Sequence, residues 1–191
     1  MTNGPGAAPS GGKPREYVAF LRGINVGGSG AATMANLKAA FESLGFGGVR
    51  TVLASGNVVF VAEPRDGAAL ARDIGRGLPA ATGIEGEVIV RSLAEIRALV
   101  AARPFAGVVL APETRLYVTF LGEPSPRAKA YAAETAERDM RSFGLSAGEV
   151  ASVVILSKTR GTPDLMRRLE RAFGRGITTR AWSTIEKIAA A

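Results

Sequence analysis

The chain contains no cysteine and no histidine. Disulfides, zinc-finger sites, thiol nucleophiles and Ser-His-Asp triads are therefore excluded. Any catalysis would fall to carboxylates, Lys, Tyr, Ser or Thr. Long apolar runs are missing too: VVFVA at 58–62 is far shorter than the ~18 residues that suggest a membrane span. The absence of disulfides fits a cytoplasmic protein, which is the reading adopted, with no membrane partner and no implied metal or cofactor. Only one tryptophan, Trp182, is present, and it reads as a core anchor for a terminal helix rather than a stacking platform.

What is present is an ordinary globular composition. Of 191 residues, 47% are hydrophobic and 21% charged, enough for one large domain or two small ones. The net charge of +7 favours a polyanionic or phosphorylated partner to a small degree. The stretch from 1 to 14, rich in Gly and Pro and without an apolar segment, reads as a disordered tail.

From Glu16 the pattern is regular. EYVAFLR is a strand; Thr33 caps a helix with the stripe Leu37, Ala40, Phe41 and Leu44; VRTVLA and NVVFVA form a hairpin around Ser55-Gly56; Asp66 to Leu78 is a helix; EVIVR is a strand. Ser92 and Glu95 form a capping box for a connecting helix. The order β-α-β-β-α-β then repeats: LYVTFL as a strand, Ser125 to Phe143 as a helix, SVVILS as a strand with a weak hairpin partner near Glu149 to Ser152, and a helix opened by Thr162-Pro163. GITTR is a last strand and a terminal helix is capped by Ser183 and Glu186. The fold class is α/β of the α+β type, two tandem ferredoxin-like units with mainly antiparallel sheets, divided at 15–103 and 104–191. YVAFL and NVVFVA alternate poorly, so the first sheet is expected to be covered on both faces, with Val58 and Val59 both buried. The cover is the second unit or a homodimer partner, and either would occlude an RNA platform. Nucleic-acid binding is then left to the basic helical surface alone.

In such a unit the end of strand 1 and the hairpin lie at one edge of the sheet. LRGINVGG at 21–28 and SGN at 55–57 would thus converge, bringing Arg22, Asn25, Gly27, Gly28, Ser55 and Asn57 together, with Arg180 and Lys187 as contributors from the second unit. Backbone N–H groups of a glycine-rich loop beside an arginine suit an anion. The spacing misses both standard nucleotide motifs: Ser29 stands where a P-loop needs Lys, and Thr33 where a dinucleotide loop needs its third Gly. Turn chemistry alone would also account for these glycines, with Arg22 and Asn25 as braces. The leading expectation is a noncatalytic binder of a phosphorylated or carboxylate small molecule. The alternatives are a structural or protein-interaction module and an enzyme using Arg22, Ser55 and a second-unit Lys, Lys158 or Lys187.

EYVAFLRGINVGG, TMANLKAAFESLGFGGVRTVLASGNVVF and TTRAWSTIEK resemble the bacterial family known as domain of unknown function 1697. The resemblance runs from about Tyr17 to Lys187. It implies the α/β fold and importance of the two loops, and no activity.

Overall fold

The computed structural model describes residues 12–23, 33–83, 86–135, 138–157 and 163–191. The first unit runs β1 (Arg15–Arg22), α1 (Met34–Ser43), β2 (Gly47–Thr51), β3 (Asn57–Ala62), α2 (Gly67–Thr82), β4 (Glu87–Ser92) and α3 (Leu93–Ala101). Its antiparallel sheet has the order β2-β3-β1-β4. The second unit runs β5 (Thr114–Leu121), α4 (Pro126–Lys129), β6 (Ala132–Glu134), β7 (Met140–Gly144), β8 (Glu149–Ile155), α5 (Leu165–Phe173), β9 (Ile177–Ala181) and α6 (Trp182–Ala189). Its sheet has the order β6-β7-β8-β5-β9, the first pattern with one strand added at an edge. The fold is two tandem ferredoxin-like units with antiparallel sheets.

Local chemistry starts the elements as their residues dictate. The Thr33 side chain accepts from the Asn36 amide, that of Asp66 accepts from Ala69, and Ser92 with Glu95 makes a complete capping box. Gly45, at φ +87°, follows α1 in the left-handed conformation that glycine tolerates.

Each sheet has an outer and an inner face. The outer face of the first packs Tyr17, Val58 and Phe60 against Leu37 and Phe41 of α1 and Leu70 and Ile74 of α2. The outer face of the second packs Val150 and Val154 with Leu165 and Leu169 of α5. The inner faces meet in a shared core: Val18, Phe20 and Val59 face Val118, Phe120 and Ala151, flanked by Ile96 of α3 and by Ile185 and Ile188 of α6. Val58 and Val59 are both fully buried, one in each core, which explains why their strand shows no polar alternation. Phe20 and Phe120 stack at the centre, with ring centroids 4.4 Å apart.

Several expectations are corrected. The helix over Ser125 to Phe143 is instead one turn, α4, followed by β6 and β7. Gly144 shows why: a Cβ there would meet the Ala128 carbonyl at 2.0 Å, so the chain doubles back on itself. β8 needs β7 on the side away from β5, and that pairing overrides the helix-forming composition. Glu149 to Ser152 belong to β8 itself rather than to a partner hairpin. α5 is capped by Asp164, while Thr162 lies outside the described residues. α6 begins at Trp182 with Ala181 as its uncapped N-terminus, so Ser183 and Glu186 lie inside it. Trp182 packs edge-on against Phe105 at the rim of the shared core.

Candidate functional site

The edge at the end of β1 gathers much of what the sequence singled out. The Leu21 amide donates to the Gly56 carbonyl at 2.8 Å, so the β2–β3 turn closes directly against the end of β1. Gly56 is buried at φ +70°, a combination that calls for glycine. Ser55 is exposed and Asn57 fully buried. The Asn57 amide donates to the Val52 carbonyl at 3.0 Å and to Ser55 Oγ at 2.9 Å. Leu53, in the same turn, is 45% exposed at φ +59°, strained for a residue with a branched side chain. Asn25, Gly27 and Gly28 lie outside the described residues.

Two arginines link this edge to the second unit. Arg22 donates to Glu170 of α5, to the Arg175 carbonyl and, at 3.0 Å, to the Ile177 carbonyl, with Glu87 of β4 at 3.4 Å. Its guanidinium therefore faces α5 and the α5–β9 connection. Arg180 crosses in the opposite direction. Its Nε donates to Asn57 Oδ1 at 2.7 Å and its Nη2 to the Leu21 carbonyl at 2.8 Å; Nη1 holds Thr178 Oγ1 and the Thr179 carbonyl, and Cζ lies over the Phe20 ring. Lys187 is exposed on α6.

Most contacts of Arg180 have a counterpart; its bond to Thr178 Oγ1 has none, because Ile89 stands at the matching position. Arg91, likewise the second-last residue before a helix, donates from Nε to Glu149 Oε1 at 2.8 Å and from Nη2 to the Leu121 carbonyl at 2.7 Å. It also donates from Nη1 to the carbonyl of the residue before it, and lies over Phe120. The Leu121 amide donates to the Gly148 carbonyl at 2.8 Å, as Leu21 does to Gly56. A Cβ on Gly148 would stand 2.9 Å from Arg91 Nη2, so glycine is what admits the guanidinium. The units thus exchange equivalent contacts, the arrangement of an isologous interface. On this correspondence Asn57 matches Glu149, Arg22 matches Gly122, and Lys187 occupies the place of Ala98.

The symmetry fails in charge. Arg91 and Glu149 form a salt bridge with side chains 13% and 18% exposed. Arg180 meets only neutral acceptors among the described residues, and burial pushes its guanidinium down to about 10 from the ordinary 12.5. At neutral pH it remains a cation without a carboxylate partner among the described residues. The first turn also differs in length, bracketing 53–56 between Val52 and Asn57, where the second brackets 146–148 between Leu145 and Glu149.

The larger cavities open elsewhere. One of about 610 Å³ borders Arg167, Arg168 and Arg171 on the exposed side of α5. Another, of about 600 Å³, runs along Arg15, Arg65 and Arg91 between the units. Among the described residues no cluster of acidic side chains could hold a metal ion, and no helix is long and apolar enough to cross a membrane.

A family model described as protein of unknown function (DUF1697) matches residues 15–150. The chain belongs to that family. This span takes in β1 with Arg22, the Ser55 to Asn57 turn, Arg91 and Glu149, while Arg180 lies beyond it. The chain is also similar to a solved structure, "conserved bacterial protein SP0830 from Streptococcus pneumoniae", at 22% identity over 93% of this chain and 98% of that one, with a TM-score of 0.69. That likeness is one of fold. No curated protein matches the sequence.

Proposed function

We propose that this protein is a noncatalytic, cytoplasmic binder of an anionic small molecule, received at the edge where the end of β1 meets the Ser55–Asn57 turn. The observation that carries the reading is the uncompensated charge of Arg180 beside Asn57, set against the neutralised counterpart Arg91–Glu149. A partly buried cation without a counter-ion is costly, and an anion bound beside it relieves that cost. Lys187, exposed on α6, supplies a further cation where the counterpart position has Ala98. Arg22, whose guanidinium is engaged by Glu170 and two carbonyls, acts as a brace between units rather than as the ligand's contact. Ser55 offers a hydroxyl at the exposed rim.

The test is thermal unfolding of the full chain with and without phosphate, citrate and sulfate at fixed ionic strength. The wild type should gain several degrees with one of these anions. Arg180→Gln should lose that gain, and Arg22→Ala should melt earlier yet keep it. An Arg22→Ala variant that alone loses the gain would return the contact to Arg22.

A second reading, as a protein-interaction module, draws on the connection between α3 and β5. Val109 and Leu110 there are 86% and 70% exposed, beside a cavity of about 470 Å³ that includes Phe105, Leu116 and Trp182. Light scattering on the wild type and on Leu110→Ser tests it: a dimer that dissociates on substitution favours this reading.

A further inference from the structure

Between α3 and the β7–β8 turn lies a cavity of about 370 Å³. Its walls include Ile96 and Leu99 of α3, Pro104, Phe120 of β5 and Leu145, and its polar end carries Arg91, Glu95 and Glu149. An apolar chamber with a few converging polar groups, at the junction of two units, is the usual form of a small-molecule site.

The polar end decides the ligand. Arg91 has Nε on Glu149 and its Nη2 group on the Leu121 and Gly148 carbonyls. Glu149 accepts from Arg91 through one oxygen and from Ser146 through the other, leaving each carboxylate oxygen with spare lone-pair capacity. Glu95 accepts from the Ser92 amide and hydroxyl through Oε2, and its side chain is exposed. The chamber therefore offers acceptors, with two carboxylates against one guanidinium. In the adjoining polar cleft Arg15 and Arg65 are offset in part by Asp66 at the start of α2 and by Asp73, which pairs with Arg65. An anionic head would meet carboxylates, whereas a cationic donor head would be held by them.

We infer that this chamber is a second ligand site, distinct from the Arg180 edge, for a primary amine carrying an apolar body of about six carbons, its ammonium at Glu149 and Glu95 and its chain along Ile96, Leu99 and Phe120. Ala98 also borders the chamber and is exposed on α3, so a larger side chain there fills the space from the solvent side.

The experiment is calorimetric titration of the full chain with hexylamine, ethylamine and hexanoate. Hexylamine should bind saturably at one site, with ethylamine and hexanoate at least ten-fold weaker. Ala98→Phe should weaken hexylamine at least ten-fold while melting near the wild type. Should that variant not fold, methyl resonances of Ile96 and Leu99 in the wild type supply the readout and should shift as hexylamine saturates. Hexanoate binding as well as hexylamine, or hexylamine saturation with those methyls unmoved, overturns the assignment. Phosphate protection at the Arg180 edge is scored separately, so either site can fail alone.

Discussion

Arg91 and Arg180 make matching contacts to a partner side chain, a leucine carbonyl and a phenylalanine ring on opposite sides of the interface between the two units, and among the described residues only Arg91 finds a carboxylate there. One interface thus contains a salt-bridged and an unpaired version of a single arrangement. The difference between Glu149 and Asn57 is the basis of the proposed function.

Glu149→Gln converts the second unit to the arrangement of the first. The variant should lose about 1 to 3 kcal/mol, because a largely buried guanidinium is left with a neutral acceptor. It should also acquire stabilisation by phosphate that the native Arg91 site lacks. Urea unfolding with and without phosphate measures both effects.

Arg22→Ala removes a brace and should cost about 1 to 3 kcal/mol, the range for lost hydrogen bonds of a charged group. The Arg22 and Glu170 side chains are 30% and 28% exposed, which favours the lower part of that range. Glu170→Gln should give a smaller loss, since the Arg175 and Ile177 carbonyls still hold the guanidinium. Equilibrium unfolding of both variants and of the double variant yields the coupling.

Removing the chain from Thr178 onward deletes most of β9 and all of α6, and with them Ile185 and Ile188 from the shared core. The loss should exceed the roughly 3 to 5 kcal/mol of emptying one large buried site. The truncated chain should not show a cooperative thermal transition; one that melts with the full chain would make α6 an appendage.

The Asp73 carboxyl is held below its ordinary range by hydrogen bonds from Arg65 and then Arg76. Its folded value lies below its unfolded one, so its contribution to stability is present above about pH 4 and is lost as pH falls through the folded value. The pair sits at the surface, which limits the contribution to under about 1 kcal/mol. Asp73→Asn should therefore be slightly less stable than the wild type at pH 7, and the difference should shrink as pH falls below about 4 through the folded value, as followed by urea unfolding.

The first unit was largely legible because its strands and helices carry clean local signals: the cap at Thr33, the stripe at Leu37 and Phe41, the Gly56 turn. The continuous apolar run at Val58 and Val59 also announced a sheet covered on both faces. The second unit was less legible. Residues 125–143 have a helical composition, and only pairing with β8 makes strands of them. At the site, topology led to the expectation that Arg22 meets Ser55 and Asn57, whereas the engagement of Arg22 by Glu170 and of Asn57 by Arg180 joins residues over 100 positions apart, beyond any local pattern. A signal did exist: YVAFL at 17–21 recurs as YVTFL at 117–121, and an arginine stands two places before both α3 and α6. The match of Asn57 with Glu149 needed the strand pairing, in which they stand opposite Phe20 and Phe120 of that repeat.

The most direct measurement follows the Nε–H resonances of Arg180 and Arg91 by NMR while phosphate is added at constant ionic strength. Arg180 Nε–H should shift saturably, with Arg91 unmoved behind its bridge to Glu149. An Arg180 resonance that stays fixed, or two resonances that move together, would contradict the proposed anion site.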